Sequence, residues 1–233
     1  MIQFDKIKYI GFDADDTLWI NELYYHNTEK ELAKILTEYL NEDDAKKELL
    51  KTEMNNVNLF GFGTKGFTIS MIETAIRVSN NSITADKINK IIDLGKALLN
   101  SPVNLFEGTE KVLKILQKKY KLIVATKGDL YDQERKLKAS KLESYFHHIE
   151  IMSNKKEKNY KKLLDHLDIN PENFLMIGNS LKSDILPVLN IGGSAIYIPY
   201  HLTWQYESHE EDEFDKTNFL QIEKITELLN IIK

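Results

Sequence analysis

Two carboxylates stand one residue apart in Asp13-Ala14-Asp15, followed by Asp16 and the hydroxyl of Thr17. Residues two apart on an extended stretch point to one side. Carboxylates held that close repel unless a cation or a proton lies between them. Further on, Thr126-Lys127-Gly128, Asn154-Lys155-Lys156 and Gly178-Asn179-Ser180 with Asp184 add a hydroxyl, ammonium groups, an amide and another carboxylate. Oxygen donors of this kind suit a hard cation such as Mg2+. One carboxylate of the pair can then attack phosphorus, while the other protonates the leaving oxygen and later deprotonates water. Cation and lysine neutralise charge on the transferring group, and helix N-terminal amides near Thr126 and Ser180 add donors. Singly, each feature has a plainer role. Acids after a strand form turns or caps, a lone Lys155 or Lys156 is a solvated charge, and Asp184 favours a helix N-terminus. Their order along the chain is what sets them apart.

The elements around these residues must bring them together. Ile7–Phe12 is short and apolar and runs straight into the acidic group, which predicts a buried strand. From about residue 19 to 102 the apolar spacing is helical, interrupted by Gly61-Phe-Gly-Thr-Lys-Gly66, with Thr84 capping a further helix and Pro102 closing the block. Beyond it strands and helices alternate. Leu122–Ala125, His148–Met152, Phe174–Ile177 and Ala195–Ile198 read as strands. Leu130–Leu142, Tyr160–Leu167, Leu181–Leu189 and Ile222–Ile232 read as helices, with Pro187 bending or shortening one of them. Alternation predicts an α/β fold with a parallel sheet. The first strand must join that sheet, because one strand cannot bury itself. The expected organisation is a Rossmann-like core over 1–18 and 103–233, with a helical domain of residues 19–102 inserted after the first strand. Ligands in such sheets sit at the carboxyl ends of the strands, and each polar cluster falls after or near one.

In this order the residues resemble the haloacid dehalogenase-like (HAD) hydrolases, chiefly the phosphatases with an aspartate nucleophile. The family's first motif, Asp-x-Asp-x-Thr/Val, matches Asp13-Ala-Asp15-Asp16-Thr17. The resemblance implies that Asp13 is nucleophile and metal ligand, and that Asp15 is general acid/base and binds metal through its backbone carbonyl. It gives Thr126 and the adjacent Lys127 to substrate binding, Thr126 holding the phosphoryl oxygens. The third-motif lysine is Lys155, which leads into the helix expected near Tyr160, with Lys156 adjacent. The fourth motif departs from the family. Asn179 stands where the first acid is usual and offers an amide oxygen with less charge, so Asp184 becomes the charged ligand. The implied cofactor is Mg2+ and the implied partner a small phosphorylated molecule. The helical insert sits where the family places a cap domain, which controls substrate choice by excluding water. Lys65, in the glycine-interrupted segment, is the candidate cap contact to an anionic leaving group. Asp15 favours phosphoryl chemistry over carbon–halogen cleavage, because the dehalogenase branch lacks the second aspartate.

Composition narrows the field from the other side. With 31 Lys+Arg against 36 Asp+Glu the net charge is −5, which argues against a nucleic-acid footprint. No cysteine means no disulfide, thiolate metal site or cysteine nucleophile. No stretch approaches the about 18 apolar residues of a membrane helix, and the N-terminus lacks a secretory pattern. The expectation is a cytoplasmic monomer or small homo-oligomer. Glu207–Asp215 reads as a solvated acidic loop, and the six histidines lack metal-ligand spacing. Three rivals share parts of the pattern: a phosphotransferase or mutase, a catalytically impaired phosphate-binding protein on this fold, and a phospho-accepting receiver module. The last carries its reactive aspartate after a later strand and has no large insert.

Overall fold

The computed structural model describes residues 2–205, 207, 214 and 216–232. Six strands form one sheet: β1 (Tyr9–Phe12), β2 (Lys121–Lys127), β3 (His148–Met152), β4 (Phe174–Gly178), β5 (Ser194–Tyr197) and β6 (Phe219–Gln221). Their spatial order is β3-β2-β1-β4-β5-β6, and every neighbouring pair is parallel. The helices are α1 (Glu22–Ile35), α2 (Glu42–Phe60), α3 (Thr64–Val78), α4 (Ala85–Leu99), α5 (Thr109–Leu116), α6 (Leu130–Ser140), α7 (Glu157–His166), α8 (Leu186–Asn190) and α9 (Leu228–Ile231). The sheet grows outward from β1 through β2 to β3, then returns to place β4 on the other side of β1. A crevice forms at such a reversal, outside the carboxyl ends of the strands. The segments after β1, β2 and β4 therefore meet there.

The described residues divide into two compact units. One comprises the chain up to Glu22, Val103–Lys127 and the residues from Gln133 onward; the other comprises Leu23–Pro102 with Gly128–Asp132. In the sheet unit the central strands are apolar on both faces, as helix-covered parallel strands must be. Ile10, Phe12, Leu122, Val124, Leu175 and Ile177 pack with Val112, Leu113 and Leu116 of α5. Ile123, Ala125, Phe174 and Met176 pack with Tyr160, Leu163 and Leu164 of α7. Gly11 lies in register with Ile123 and Met176. A Cβ there would sit 2.6 Å from Phe174 Cζ, so the ring occupies the space that a side chain at 11 would need. In the helical unit, Leu32, Leu36, Leu49, Phe67, Met71, Ile91 and Leu98 form a core of their own. There α2 is capped by Asn41, whose side chain accepts from Asp44 N at 2.9 Å, and α4 by Thr84. No helix among the described residues is long and apolar enough to cross a membrane.

Four expectations are corrected. Residues 19–22 group with the sheet unit, where Trp19 is buried in its core, and Gly128–Asp132, expected in the core, group with the helical unit. The helix expected to begin near Tyr160 starts at Glu157. The single helix expected over Leu181–Leu189 is a π-helical turn at Leu181–Ile185 followed by α8. The helix expected over Ile222–Ile232 is an irregular stretch following β6, a 3-10 turn at Ile225–Glu227 and the single turn α9. Ile222, Ile225, Leu228 and Ile232 all reach the core as their spacing suggests. Glu227 accepts from the backbone N–H groups of Glu223 and Lys224 at 3.0 and 2.8 Å, a capping box that sets the start of the helical turns at Ile225.

Gly11→Ala is expected to cost about 1–3 kcal/mol of stability by overpacking against Phe174. Urea denaturation would read this as a lower midpoint with an unchanged m-value.

Candidate active site

The centre of the crevice is an ammonium between two carboxylates. Lys155 Nζ donates to Asp13 Oδ1 and, at 2.7 Å, to Asp184 Oδ1. All three side chains are at least nine-tenths buried. Asp13 is the first residue after β1, its N–H donating to the carbonyl of Ile177 on β4 at 2.9 Å. Lys155 lies two residues before α7, while Lys156 is the exposed cap of that helix. Asp184 arrives by the π-helical turn. The Ser180 hydroxyl accepts from Ser183 N at 3.0 Å, and the widened turn returns the Asp184 carboxylate to accept from Ser180 N at 3.0 Å. Gly178 makes room for it: a Cβ there would lie 2.4 Å from the Asp184 carboxylate. Burial raises the Asp13 carboxyl to about 7, with Lys155 opposing the shift and Asp184 adding to it. Burial alone would lower Lys155, but the two carboxylates hold its ammonium well above the ordinary lysine range.

Asp15 looks elsewhere. The period-two geometry of β1 ends at Phe12, so the paired carboxylates do not share one partner. Asp15 accepts from Lys136 Nζ at 2.7 and 2.6 Å, from Gln133 Nε2 at 2.9 Å and from Trp19 Nε1 at 2.7 Å. Burial pushes its carboxyl up, but Lys136 and these donors hold it below the usual carboxylate range. Asp16 turns the chain with φ 62° and accepts from the N–H groups of Asn21 and Glu22. Burial raises its carboxyl to about 7.

Oxygen atoms converge beside Asp13. One end of the Asn179 amide lies 3.2 Å from Asp13 Oδ2 and 3.3 Å from both the Asp15 carbonyl oxygen and Thr17 Oγ1. With its nitrogen turned inward the amide satisfies these acceptors. With its oxygen turned inward it joins an oxygen-rich set in which the Thr17 hydroxyl is the hydrogen donor, a set that suits a hard cation. Asp13 Oδ2, the Asp15 carbonyl and the Asn179 amide oxygen are donors of the kind Mg2+ takes, with the Asp15 carboxylate outside them; the two Asp184 oxygens accept from Lys155 Nζ and Ser180 N. No group of three or more His, Asp or Glu side chains suited to a metal ion occurs among the described residues.

The other expected residues are placed as follows. Thr126 is buried near the end of β2, its hydroxyl 3.4 Å from Gln133 Oε1. Lys127, the last residue of β2, donates to Ser183 Oγ at 2.9 Å and pairs with Glu207. Glu207 is therefore not the solvated residue expected: its side chain is 12 % exposed. Most of the rest of that acidic loop, including His209, lies outside the described residues. Lys65 is in the first turn of α3 within the helical unit, paired at 3.0 Å with Asp129 of the same unit. Sequence reasoning passed over Lys136, Gln133 and Glu207. The first two stand three apart on α6, a spacing that places both on one helix face.

The chain matches the haloacid dehalogenase-like hydrolase family over residues 7–192. It belongs to that family. A solved HAD-like family hydrolase from Xanthomonas campestris is 37 % identical, with 97 % of this chain and 91 % of that one covered and a TM-score of 0.87. The HAD hydrolase YfnB from Bacillus subtilis, solved bound to magnesium, shares the fold at 16 % identity, with 97 % and 99 % of the two chains covered and a TM-score of 0.69. The N-acylneuraminate-9-phosphatases of Rattus norvegicus and Mus musculus are 30 % and 31 % identical over 95 and 93 residues. Those matches cover 39 % and 38 % of this HAD chain and only 38 % of each relative.

Removing the ammonium leaves two buried carboxylates facing each other. Lys155→Met is expected to lose about 3–5 kcal/mol in urea denaturation at neutral pH. Adding Asp13→Asn should recover part of that loss.

Proposed function

We propose that this hydrolase is a Mg2+-dependent phosphatase of small phosphomonoesters, acting through an aspartyl-phosphate. The observation that carries the reading is the Lys155 ammonium fixed between Asp13 and Asp184 at the sheet's reversal point. Family membership and the partial likeness to phosphatases support it. An Asp13 carboxylate oxygen attacks phosphorus and the bond to the leaving oxygen breaks. Asp15 supplies the proton that this oxygen takes up. Water then attacks the phosphoryl group, giving its proton back to Asp15; the Asp13–phosphorus bond breaks and inorganic phosphate leaves. Lys155 orients Asp13 and offsets charge on the phosphoryl oxygens, and Thr126 donates to them. Mg2+, bound by Asp13, the Asp15 carbonyl, Asn179 and Asp184, would act as the Lewis acid that draws charge from the transferring group.

The ion pair with Lys136 holds Asp15 in the ionised form, the one that accepts a proton from water. Its acid role in the first half-reaction therefore requires the pair to loosen and Asp15 to take up a proton from water before the leaving oxygen departs. We assign substrate selection to the helical insert.

With p-nitrophenyl phosphate, the parent chain should release phosphate well beyond one equivalent per chain, which a receiver module cannot do. Asp13→Asn should abolish turnover and keep the fold by circular dichroism. Asp15→Asn should lose about 10²–10⁴-fold in kcat. Substantial turnover by Asp13→Asn would overturn the nucleophile assignment. EDTA should suppress activity and added Mg2+ restore it; turnover that ignores chelation would overturn the metal role.

A further inference from the structure

Beside the phosphoryl-transfer residues lies a second anion-binding cradle, built by the sheet unit and filled by one of its own side chains. Lys127 Nζ donates to Ser183 Oγ at 2.9 Å, and Ser183 N donates to Ser180 Oγ at 3.0 Å. These bonds link the end of β2 to the π-helical turn after β4, and none of them involves Glu207. Each of the three side chains also donates to Glu207: Lys127 Nζ to Oε1, Ser180 Oγ to Oε2 at 2.6 Å and Ser183 Oγ to Oε2 at 2.5 Å. One ammonium and two hydroxyls thus converge on a single carboxylate, a donor set that selects an anion.

The donors and the occupant differ in origin. Lys127 follows Thr126 directly, and Ser180 and Ser183 lie between Asn179 and Asp184. All three donors are carried by elements of the catalytic crevice. Glu207 comes from the connection between β5 and β6, which holds no strand or helix among its described residues. The cradle is preorganised; its occupant is a side chain with three rotatable bonds. Lys127 is close enough to feel both Lys155 and Asp184 electrostatically.

We propose that Lys127, Ser180 and Ser183 form a subsite for a second anionic group of the substrate, a carboxylate or another phosphate, and that Glu207 is the internal anion it displaces. The proposal rests on the phosphatase reading and narrows its substrate class to phosphomonoesters bearing a further negative charge. It also gives Glu207 a role in selectivity. An ester without that charge leaves Glu207 seated, whereas an ester with it must compete for the cradle. An intramolecular competitor lowers apparent affinity by the fraction of time the site is open.

The test compares 3-phosphoglycerate with glycerol 3-phosphate, which share a three-carbon skeleton and differ in the carboxylate. Calorimetry with Mg2+ on the full chain carrying Asp13→Asn measures binding without turnover. Adding Glu207→Gln should tighten 3-phosphoglycerate at least about tenfold while moving glycerol 3-phosphate less than about threefold. Adding Lys127→Met should remove the preference, leaving the two ligands within about threefold of each other. Glu207→Ala, checked by circular dichroism, repeats the first arm should the glutamine variant misfold. If Glu207 substitutions move both ligands alike, or move neither, the subsite is refuted and the phosphatase reading stands. If neither ester binds any form and the parent turns over no aryl phosphate, the phosphatase reading fails and takes the subsite with it.

Discussion

One buried ammonium governs this molecule's chemistry. Lys155 stands between Asp13 and Asp184 with almost no access to water. Taking three charges out of water costs several kcal/mol for each ion unless their geometry repays it. The arrangement survives because every component is anchored by a different element: Asp13 by the end of β1, Lys155 by the approach to α7, and Asp184 by the π-helical turn after β4. The backbone contributes directly, since the Ser180 N–H holds the Asp184 oxygen that Lys155 does not touch. The absent side chain at Gly178 is part of the same construction, because any Cβ would occupy the space of that carboxylate.

Charge balance then separates this triad from its neighbours. Asp15 pairs with Lys136 and Glu207 with Lys127. Lys155 faces two carboxylates, so with both ionised the triad carries an excess negative charge. Asp13 Oδ2, the oxygen that Lys155 does not touch, lies beside the Asn179 amide, which also meets the Asp15 carbonyl. An asparagine at position 179 adds an oxygen without adding a further anion. Beside Asp13 and Asp184, this limits mutual repulsion among the buried carboxylates.

Much of this frame is legible in the chain. Buried parallel strands must be apolar throughout, and Leu122–Ala125 and Phe174–Ile177 are conspicuous for that reason. Polar residues at successive strand ends mark the crevice, because parallel strands deliver their carboxyl ends to one edge. Other features left no such trace. β6 is three residues long and gains its strand character only by pairing with β5. Lys136 and Gln133 sit on a helix rich in charged residues, so nothing in their type separates a buried partner of Asp15 from a solvated face. Glu207 opens an acidic run whose composition argues for solvent, and its burial follows from tertiary donors brought together by β2 and the turn after β4. Local pattern carries what the backbone dictates; long-range pairing between charged side chains is decided by geometry that no short window contains.

Asp16 shows how both kinds of information act on one residue. Its φ of 62° is one that glycine adopts freely, while L side chains reach it at some cost in strain. Glycine there would relieve that strain and lose the carboxylate that receives the N–H groups of Asn21 and Glu22. Those groups lie where the chain leaves the sheet unit, at the start of α1, and the first N–H groups of a helix lack intrahelical acceptors. Aspartate supplies a short acceptor that can reach them from the turn, and asparagine and aspartate tolerate the left-handed region better than longer side chains. Acidity at position 16 is thus explained by backbone satisfaction, and the excess of carboxylates in the first motif does not require a third acid in the chemistry.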